Sequence, residues 1–198
     1  MEREYKWQAS AQQFATLCAT LGLAPDPKNR LDMDATYYDD ASGALRARRI
    51  GLRLRRENGR SVCCMKLRNA AQHGLHVHEE YECPAETLAE GLSRLPGQGA
   101  PQALCQSLAA APLVPIARVR FVRQPAMWQQ DGFAAELALD TGTLASGAQS
   151  VHFCEIECEY KSGDFSAFTA ACDALAARLA LTPEPLSKLA RALSLSKA

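Results

Sequence analysis

The sequence lacks a net charge, because its 22 lysines and arginines are balanced by 22 aspartates and glutamates. Proteins that bind nucleic acid or anionic membranes by general electrostatic attraction normally carry a basic excess, so we expect neither partner. No apolar run reaches the length of a membrane span, and the N-terminus lacks the apolar core of a signal peptide. These absences predict a cytoplasmic protein.

Zinc-binding cysteine patterns are also missing. None of the cysteines forms a CxxC pair, and no histidine stands at the spacing of a zinc ligand. In a reducing compartment such cysteines act mostly as small apolar residues. We therefore predict neither a zinc site nor a disulfide among Cys18, Cys63, Cys64, Cys83, Cys105, Cys154, Cys158 and Cys172.

What the chain does have is enough for one domain, with 198 residues of which 47% are hydrophobic. Eight segments have the character of β-strands, and most of them carry charged residues on one face and apolar residues on the other. Few strands are apolar on both faces, so the pattern favours an antiparallel sheet, open or closed, over a buried parallel one. Helices are predicted in an insertion at about 85–112 and near the C-terminus at about 164–195.

Two acidic segments, one near each end of the chain, repeat with the period of a β-strand. Glu2, Glu4 and Lys6 share one face of the first. The second places its acidic residues and a lysine on one face, namely Glu155, Glu157, Glu159 and Lys161. Carboxylates at this spacing repel one another unless a cation lies between them. Two solvated strand faces and a divalent-cation site inside a closed sheet both fit the pattern.

Basic residues follow the same alternation on other strands. Arg53 and Arg55 share a face before Asn58-Gly59, which is a strong hairpin signal, and Lys66 lies on the returning strand. Arg118 and Arg120 are aligned on a later strand. Carboxylates suit Mg²⁺ or Mn²⁺, and guanidinium groups suit phosphate oxygens. Together they are the ingredients of metal-assisted phosphoryl chemistry, although pairing across an exposed sheet would explain the charges equally well.

The order of the motifs along the chain resembles the CYTH superfamily, the triphosphate tunnel metalloenzymes, over essentially the whole sequence. The shared motifs are Glu2-x-Glu4-x-Lys6, Tyr37-Tyr38-Asp39, Leu52-Arg53-x-Arg55, the single lysine Lys66, the acidic strands 136–140 and 155–159, and Ser187-Lys188-x-x-Arg191. Each motif is weak alone, and their joint order is specific. Within the superfamily, the chain is most similar to the bacterial inorganic triphosphatases.

The resemblance implies an α+β fold in which residues 1–198 form one domain, an eight-stranded antiparallel β-barrel with flanking helices. It implies Mg²⁺ or Mn²⁺ as cofactor, held by Glu2, Glu4, Glu157 and Glu159, with Asp140 and Glu155 nearby. It implies that substrate is bound by Lys6, Arg53, Arg55, Lys66, Arg118, Arg120, Lys161, Lys188 and Arg191. Catalysis would depend on Lys6, Arg53, Arg55, Lys66 and Glu157.

The implied reaction is hydrolysis of inorganic triphosphate, a small-molecule substrate, by a monomer or homodimer. A thiamine triphosphatase, an adenylate cyclase of the same superfamily and a non-catalytic polyphosphate-binding module remain alternatives. The sequence departs from the family at His78, where relatives usually carry arginine. Several bacterial relatives continue with a histidine-rich helical domain, and here the sequence ends at Ala198, so that domain is absent or the sequence is a fragment.

Overall fold

The structure is a computed structural model that describes residues 1–130 and 132–196, apart from the side chains of Arg68 and Asn69. The strands are β1 (Glu2–Gln8), β2 (Leu31–Asp39), β3 (Gly51–Glu57), β4 (Arg60–Gln72), β5 (Leu75–Pro84), β6 (Val114–Gln130), β7 (Phe133–Ser146), β8 (Gln149–Gly163) and β9 (Thr182–Pro183). The α-helices are α1 (Ala11–Leu21), α2 (Ala44–Ala47), α3 (Leu88–Arg94), α4 (Gln102–Ala110), α5 (Phe165–Leu179) and α6 (Lys188–Leu195). Short 3₁₀ turns lie at Pro27–Asn29 and Leu95–Gln98.

Eight strands close into an antiparallel barrel, as predicted. Their order is β5-β4-β3-β2-β6-β7-β8-β1, and a pairing between β1 and β5 closes the sheet. The two-residue strand β9 pairs with Trp7 and Gln8 of β1, beyond the region of β1 that pairs with β5. Closure gives every strand of the barrel a partner on both sides over part of its length, and among the described pairings residues 124–130 of β6 pair with β7 alone.

Tight turns of the kind predicted at Asn58-Gly59 set the register of the hairpins. Asn58 and Gly59 both have positive φ, at 46° and 85°, and Glu57 pairs with Arg60 across them. A two-residue turn with this geometry matches the right-handed twist of the strands. His73 and Gly74 form a second such turn between β4 and β5, with φ of 49° and 85°.

Apolar side chains on the outer face of the barrel pack under helices. Tyr5 and Trp7 on β1 pack with residues of α1 and α5, including Phe168. On the opposite side, α3 and α4 cover β3, β4 and β5 through a separate cluster that contains Leu52 and Met65. Ser10 caps α1 together with Gln13, and Asp164 caps α5, as their positions before apolar helical segments predict.

Helix α6 lies against the inner face of the barrel. Its residues Ala192 and Leu189 belong to an apolar cluster with Val119, Phe121 and Leu144 of β6 and β7. Leu189 and Phe121 also line the central cavity, so α6 occupies one side of the barrel interior. Among the described residues, no helix is both long enough and apolar enough to cross a membrane.

Candidate functional site

A cavity of about 520 Å³ runs through the barrel, and its walls are the inward faces of the strands. Because side chains alternate along a strand, every second residue of β1, β3, β4, β5 and β8 reaches it. The charged residues that line it are Glu2, Glu4, Lys6, Arg53, Arg55, Lys66, Glu80, Glu82, Arg123, Glu157, Glu159, Lys161 and Lys188. The described lining therefore combines carboxylates and permanent cations in nearly equal number, together with His76 and His78.

One group of these charges is deeply buried, and we call it the closed cluster: Lys6, Arg123, Asp140, Glu155, Glu157, Lys188 and Arg191. Lys188 is its centre, with Nζ at 2.7 Å from Asp140 Oδ2 and 2.8 Å from Glu157 Oε1, and in contact with Glu155. The side chains of Asp140 and Glu155 are fully buried. Helix α6 thus delivers a cation to carboxylates on two neighbouring strands.

Arginines complete the closed cluster. Arg123 donates a bidentate pair of hydrogen bonds to Asp140, at 2.8 and 2.7 Å, and also contacts Glu157. Arg191 Nη1 lies 2.5 Å from Glu155 Oε2. The forked contact of Arg123 holds the Asp140 carboxylate in one orientation. Among the described residues, each carboxylate of the cluster therefore contacts at least two cations.

Burial and charge act in opposite directions on the closed cluster. Burial alone would raise the pKa of Glu157, but Lys188 and Lys6 outweigh it and hold this pKa well below its usual range. Burial would lower the pKa of Lys6, yet Glu157 and Glu4 hold it well above its usual value. For Glu155, burial dominates and raises the pKa although Lys188 opposes it. Both shifts favour the charged forms of Glu157 and Lys6.

A second group lies nearer to solvent, and we call it the open cluster: Glu2, Arg53, Arg55, Lys66, His78, Glu80 and Glu82. Arg53 Nη2 lies 3.2 Å from Glu80 Oε1, and Arg55 Nη2 lies 3.1 Å from Glu82 Oε1. Lys66 Nζ lies 2.6 Å from Glu80 Oε2. These cations are therefore positioned by carboxylates of β5 on the wall formed by β3, β4 and β5.

Glu2 joins the open cluster to β1. Its Oε2 lies 2.7 Å from His78 Nε2 and 3.2 Å from Lys66 Nζ. Burial would raise the pKa of Glu2, but Lys66 and His78 outweigh it and hold that pKa below its usual range. His78, which stands where the family resemblance leads one to expect arginine, fills its position with an imidazole that contacts the same carboxylate.

Most of the residues that the sequence predicted for the site come together in the barrel. Those that line the cavity are Glu2, Glu4, Lys6, Arg53, Arg55, Lys66, Glu157, Glu159, Lys161 and Lys188. Asp140, Glu155 and Arg191 lie behind this lining, within the closed cluster. The acidic faces of β1 and β8 adjoin, since Glu4 pairs with Glu159 and Lys6 with Glu157 across the two strands.

Arg118 and Arg120 are a correction to the predicted set, because the structure places them outside the cavity. Their side chains are 50% and 60% exposed, and both contact Asp34 on β2. The inward residues of this part of β6 are Val119 and Phe121, which pack with α6. The inward face of this part of β6 is therefore apolar, and its charged face, which the sequence analysis assigned to the site, points outward.

The inward cation of β6 is Arg123, which the sequence analysis missed. A signal was present: Arg123 has the opposite parity to Arg118 and Arg120, and it lies directly opposite Asp140 on β7. Glu80 and Glu82 are likewise site residues that were not predicted. Residues 78, 80 and 82 are two apart along β5 and therefore lie on one face, and this shared face with His78 could have identified Glu80 and Glu82. Tyr37, Cys64 and His76 also line the cavity without having been predicted.

The acidic wall of β1 and β8 fits a hard divalent cation. Glu4 is 3% exposed, and its Oε1 accepts no hydrogen bond within the described part of the chain, although Lys6 Nζ lies 3.0 Å away. A buried carboxylate oxygen with this little compensation is suited to a cation with oxygen ligands. Asp140, Glu155 and Glu157 also have oxygens within 4.8 Å of one another, but cations of the protein already occupy that cluster.

Comparisons with known proteins agree with this architecture. A family model described as CYTH domain matches residues 1–193. An inorganic triphosphatase of Haemophilus influenzae is 30% identical over 129 residues, which is 65% of this chain and 36% of that protein. The match thus spans about a third of the length of that relative.

Solved structures with the same fold cover nearly the whole chain. A Hippeastrum protein, named as a candidate adenylyl cyclase and described as having a dominant triphosphatase activity, has a TM-score of 0.71 at 20% identity, covering 98% of this chain and 96% of its own. A protein from Pyrococcus horikoshii has a TM-score of 0.64 at 17% identity, covering 100% of both chains. At these identities the structures establish the fold alone.

Proposed function

The chain belongs to the CYTH family, and from this premise we propose that it hydrolyses inorganic triphosphate with Mg²⁺ or Mn²⁺ inside the barrel. The observation that carries the proposal is the arrangement of two walls. Arg53, Arg55 and Lys66 form a cationic wall, and the acidic face of β1 and β8 adjoins the same cavity. A linear polyanion with a bound divalent cation requires both kinds of wall at once.

Substrate binding would proceed by exchange of partners in the open cluster. Arg53, Arg55 and Lys66 now contact Glu80, Glu82 and Glu2, and these carboxylates hold the cations in place without substrate. Phosphate oxygens would replace the carboxylate oxygens, and the planar guanidinium groups of the two arginines would then bind them in pairs. The two arginines are two residues apart on one strand, roughly 7 Å between Cα atoms, which suits neighbouring phosphoryl groups.

Metal binding is proposed for Glu2, Glu4, Glu157 and Glu159. A bound Mg²⁺ or Mn²⁺ would neutralise charge on the phosphate oxygens and lower the pKa of a bound water. Lys6 lies between the carboxylates of Glu4 and Glu157, where it separates their charges and faces the cavity. Glu157 stays ionised because its cationic partners depress its pKa. In this proposal Asp140 and Glu155 support the metal ligands through Arg123, Lys188 and Arg191.

Lys161 and Lys188 are proposed to extend the cationic surface toward the substrate from the other side. Lys161 is the more available of the two, since its side chain is 37% exposed and contacts only Glu159 among the ion pairs of the described residues. Lys188 is held by three carboxylates of the closed cluster. Its proposed role is therefore mainly to hold these three carboxylates in position, and contact with the substrate is secondary. Arg118 and Arg120 have no place in this proposal.

A substrate panel tests the proposal directly. Release of phosphate would be measured from inorganic triphosphate, pyrophosphate, ATP and thiamine triphosphate, each with Mg²⁺ and with Mn²⁺. We expect the largest kcat/KM for inorganic triphosphate. A larger kcat/KM for thiamine triphosphate would identify a thiamine triphosphatase instead. Formation of cyclic AMP from ATP would identify an adenylate cyclase. Tight binding of triphosphate without turnover in either metal would indicate a non-catalytic module.

A further inference from the structure

A buried histidine lies where the cationic wall meets the acidic wall. His78 is 3% exposed on β5, and it is the residue directly opposite Glu2 where β5 pairs with β1. Its Nε2 lies 2.7 Å from Glu2 Oε2, and Lys66 Nζ lies 2.8 Å from the same nitrogen and 3.2 Å from the same oxygen. Because Glu2 is a proposed metal ligand and Lys66 a proposed substrate ligand, His78 contacts one residue of each kind.

The contacts of this imidazole indicate which of its nitrogens carries the proton. Nδ1 of His78 is buried and has no hydrogen-bond partner in the described part of the chain, so a proton there would be an unpaired buried donor. A proton on Nε2 is instead donated to the Glu2 carboxylate at 2.7 Å, in a charge-assisted hydrogen bond. Nε2 therefore donates to Glu2, and it does so whether the ring is neutral or doubly protonated.

Lys66 shares the Glu2 carboxylate with His78 only until substrate binds. An ammonium group donates hydrogen bonds and cannot accept one, so its approach to the Nε2 proton of His78 at 2.8 Å is unfavourable. Lys66 also has a closer carboxylate in Glu80, whose Oε2 is 2.6 Å from its Nζ. In the proposed exchange of partners Lys66 moves to a phosphate oxygen, which relieves the approach to Nε2. His78 then remains as a donor to Glu2.

We propose that His78 is a positioning residue that holds the Glu2 carboxylate in its metal-binding orientation, a role that rests on the proposed function because it takes Glu2 to be a metal ligand. Hydrogen bonds to the ligands of a metal site orient those ligands, and the loss of one typically weakens metal binding by about 10–100-fold. Direct ligation by His78 is disfavoured, because a proton occupies Nε2 and because Mg²⁺ and Mn²⁺ prefer oxygen ligands.

Two amide variants separate positioning from packing. The side chain of His78→Gln places an N–H group near the position of Nε2, whereas that of His78→Asn is one methylene shorter and ends near the position of Nδ1. Mn²⁺ would be titrated into the full chain without substrate, and free Mn²⁺ would be followed by electron paramagnetic resonance. Glu2→Gln and the double variant Glu2→Gln/His78→Asn complete a double-mutant cycle. Circular dichroism and thermal melting would show that each variant is folded.

We expect His78→Asn to bind Mn²⁺ about tenfold or more weakly, and His78→Gln to stay within about threefold of the unaltered protein. The double variant should bind no more weakly than Glu2→Gln alone, because a positioning residue acts only through the residue that it positions. Equal losses in the two amide variants would indicate packing, additive losses in the double variant would indicate direct ligation, and either result would overturn the proposal. Should His78→Asn fail to fold, His78→Leu, which fills the site without a donor, takes its place.

Failure of the proposed function would give a different result from failure of this inference. Absence of Mn²⁺ binding to the unaltered protein, or unchanged binding in Glu2→Gln, would show that Glu2 does not bind the metal and would overturn both. Weaker binding in Glu2→Gln together with unchanged binding in His78→Asn would overturn the role of His78 alone.

Discussion

The closed and open clusters lie in one barrel and both pair acidic with basic side chains, but they differ in how deeply these charges are buried. In the closed cluster, Asp140 and Glu155 have no exposed side-chain surface, and each contacts two cations. In the open cluster, Glu82 is 39% exposed, and Glu80 and Glu82 contact cations of β3 and β4. Buried charge must be compensated within the protein, whereas partly exposed charge can exchange one partner for another.

This difference indicates a division of labour within the barrel. Apart from Lys6 and Glu157, which also line the cavity, the closed cluster is a scaffold whose charges are satisfied by Arg123, Lys188 and Arg191 before any ligand arrives. The open cluster holds cations beside carboxylates that a polyanion can displace. Rigid support behind an exchangeable surface is what preorganised binding of a charged substrate requires.

Removal of the metal by a chelator should have the largest effect, because it should abolish activity while leaving stability nearly unchanged. Excess EDTA should abolish phosphate release, because the acidic wall of β1 and β8 would lose the cation that bridges it to triphosphate. The melting temperature measured without added metal should stay nearly constant, since the closed cluster has its own cations. Restoration of activity by Mg²⁺ or Mn²⁺ is the control, and full activity in excess EDTA would contradict the metal-dependent mechanism.

Lys188→Met should cause the largest loss of stability. It leaves Asp140, Glu155 and Glu157 buried with one cation fewer, and breaking a buried ion pair in this way costs about 3–5 kcal/mol in the free energy of unfolding. The matched control is Lys161→Met, which removes a partly exposed lysine of β8 and should change stability by about 0.5 kcal/mol or less. Equal effects in urea denaturation would show that the closed cluster is not a scaffold.

Arg53→Ala and Arg55→Ala should affect catalysis far more than folding. We expect a loss of about 2–3 kcal/mol in kcat/KM for triphosphate, the scale of a charge-assisted contact. Stability should change little, because Glu80 keeps Lys66 when Arg53 is removed and Glu82 keeps Arg53 when Arg55 is removed. The loss should be smaller for pyrophosphate, and lysine should restore activity only in part.

Arg118→Ala is the matched control for these arginine variants. It removes an exposed arginine from the outer face of β6, so kcat/KM should remain at the level of the unaltered protein. Near-normal hydrolysis in both Arg53→Ala and Arg55→Ala, accompanied by earlier melting, would show that the β3 arginines are structural. A large loss of activity in Arg118→Ala would instead place substrate on the outside of the barrel.

Mild acid should produce the smallest effect. Burial lowers the pKa of His76 below the usual histidine value of about 6.5, although the hydrogen bond from Nε2 to the Glu184 carbonyl opposes this shift. A depressed histidine pKa contributes stability above the unfolded value, and that contribution is lost as the pH falls through the folded value. His76→Gln keeps a donor for Glu184, so its unfolding free energy should fall less on acidification. Identical losses in both proteins would exclude His76 as the cause.

Strand alternation in the sequence predicted much of the site. Glu2, Glu4 and Lys6 reach the cavity together, as do Arg53 and Arg55, because residues two apart on one strand must share a face. The Asn58-Gly59 turn fixed the pairing of β3 with β4 in the same way. These predictions rest on local geometry that no tertiary contact can alter without breaking the strand.

Tertiary structure decided which face is inward and which charges meet. Alternation gives β6 two faces, and the packing of Val119 and Phe121 under α6 turned Arg118 and Arg120 outward and Arg123 inward. It also brought Cys64 to Glu80, and Lys188 to three distant carboxylates. The sequence by itself determined the faces of each strand through the fixed period of two. Their neighbours depended on barrel closure and on the position of α6, which are set by contacts between residues far apart in the chain.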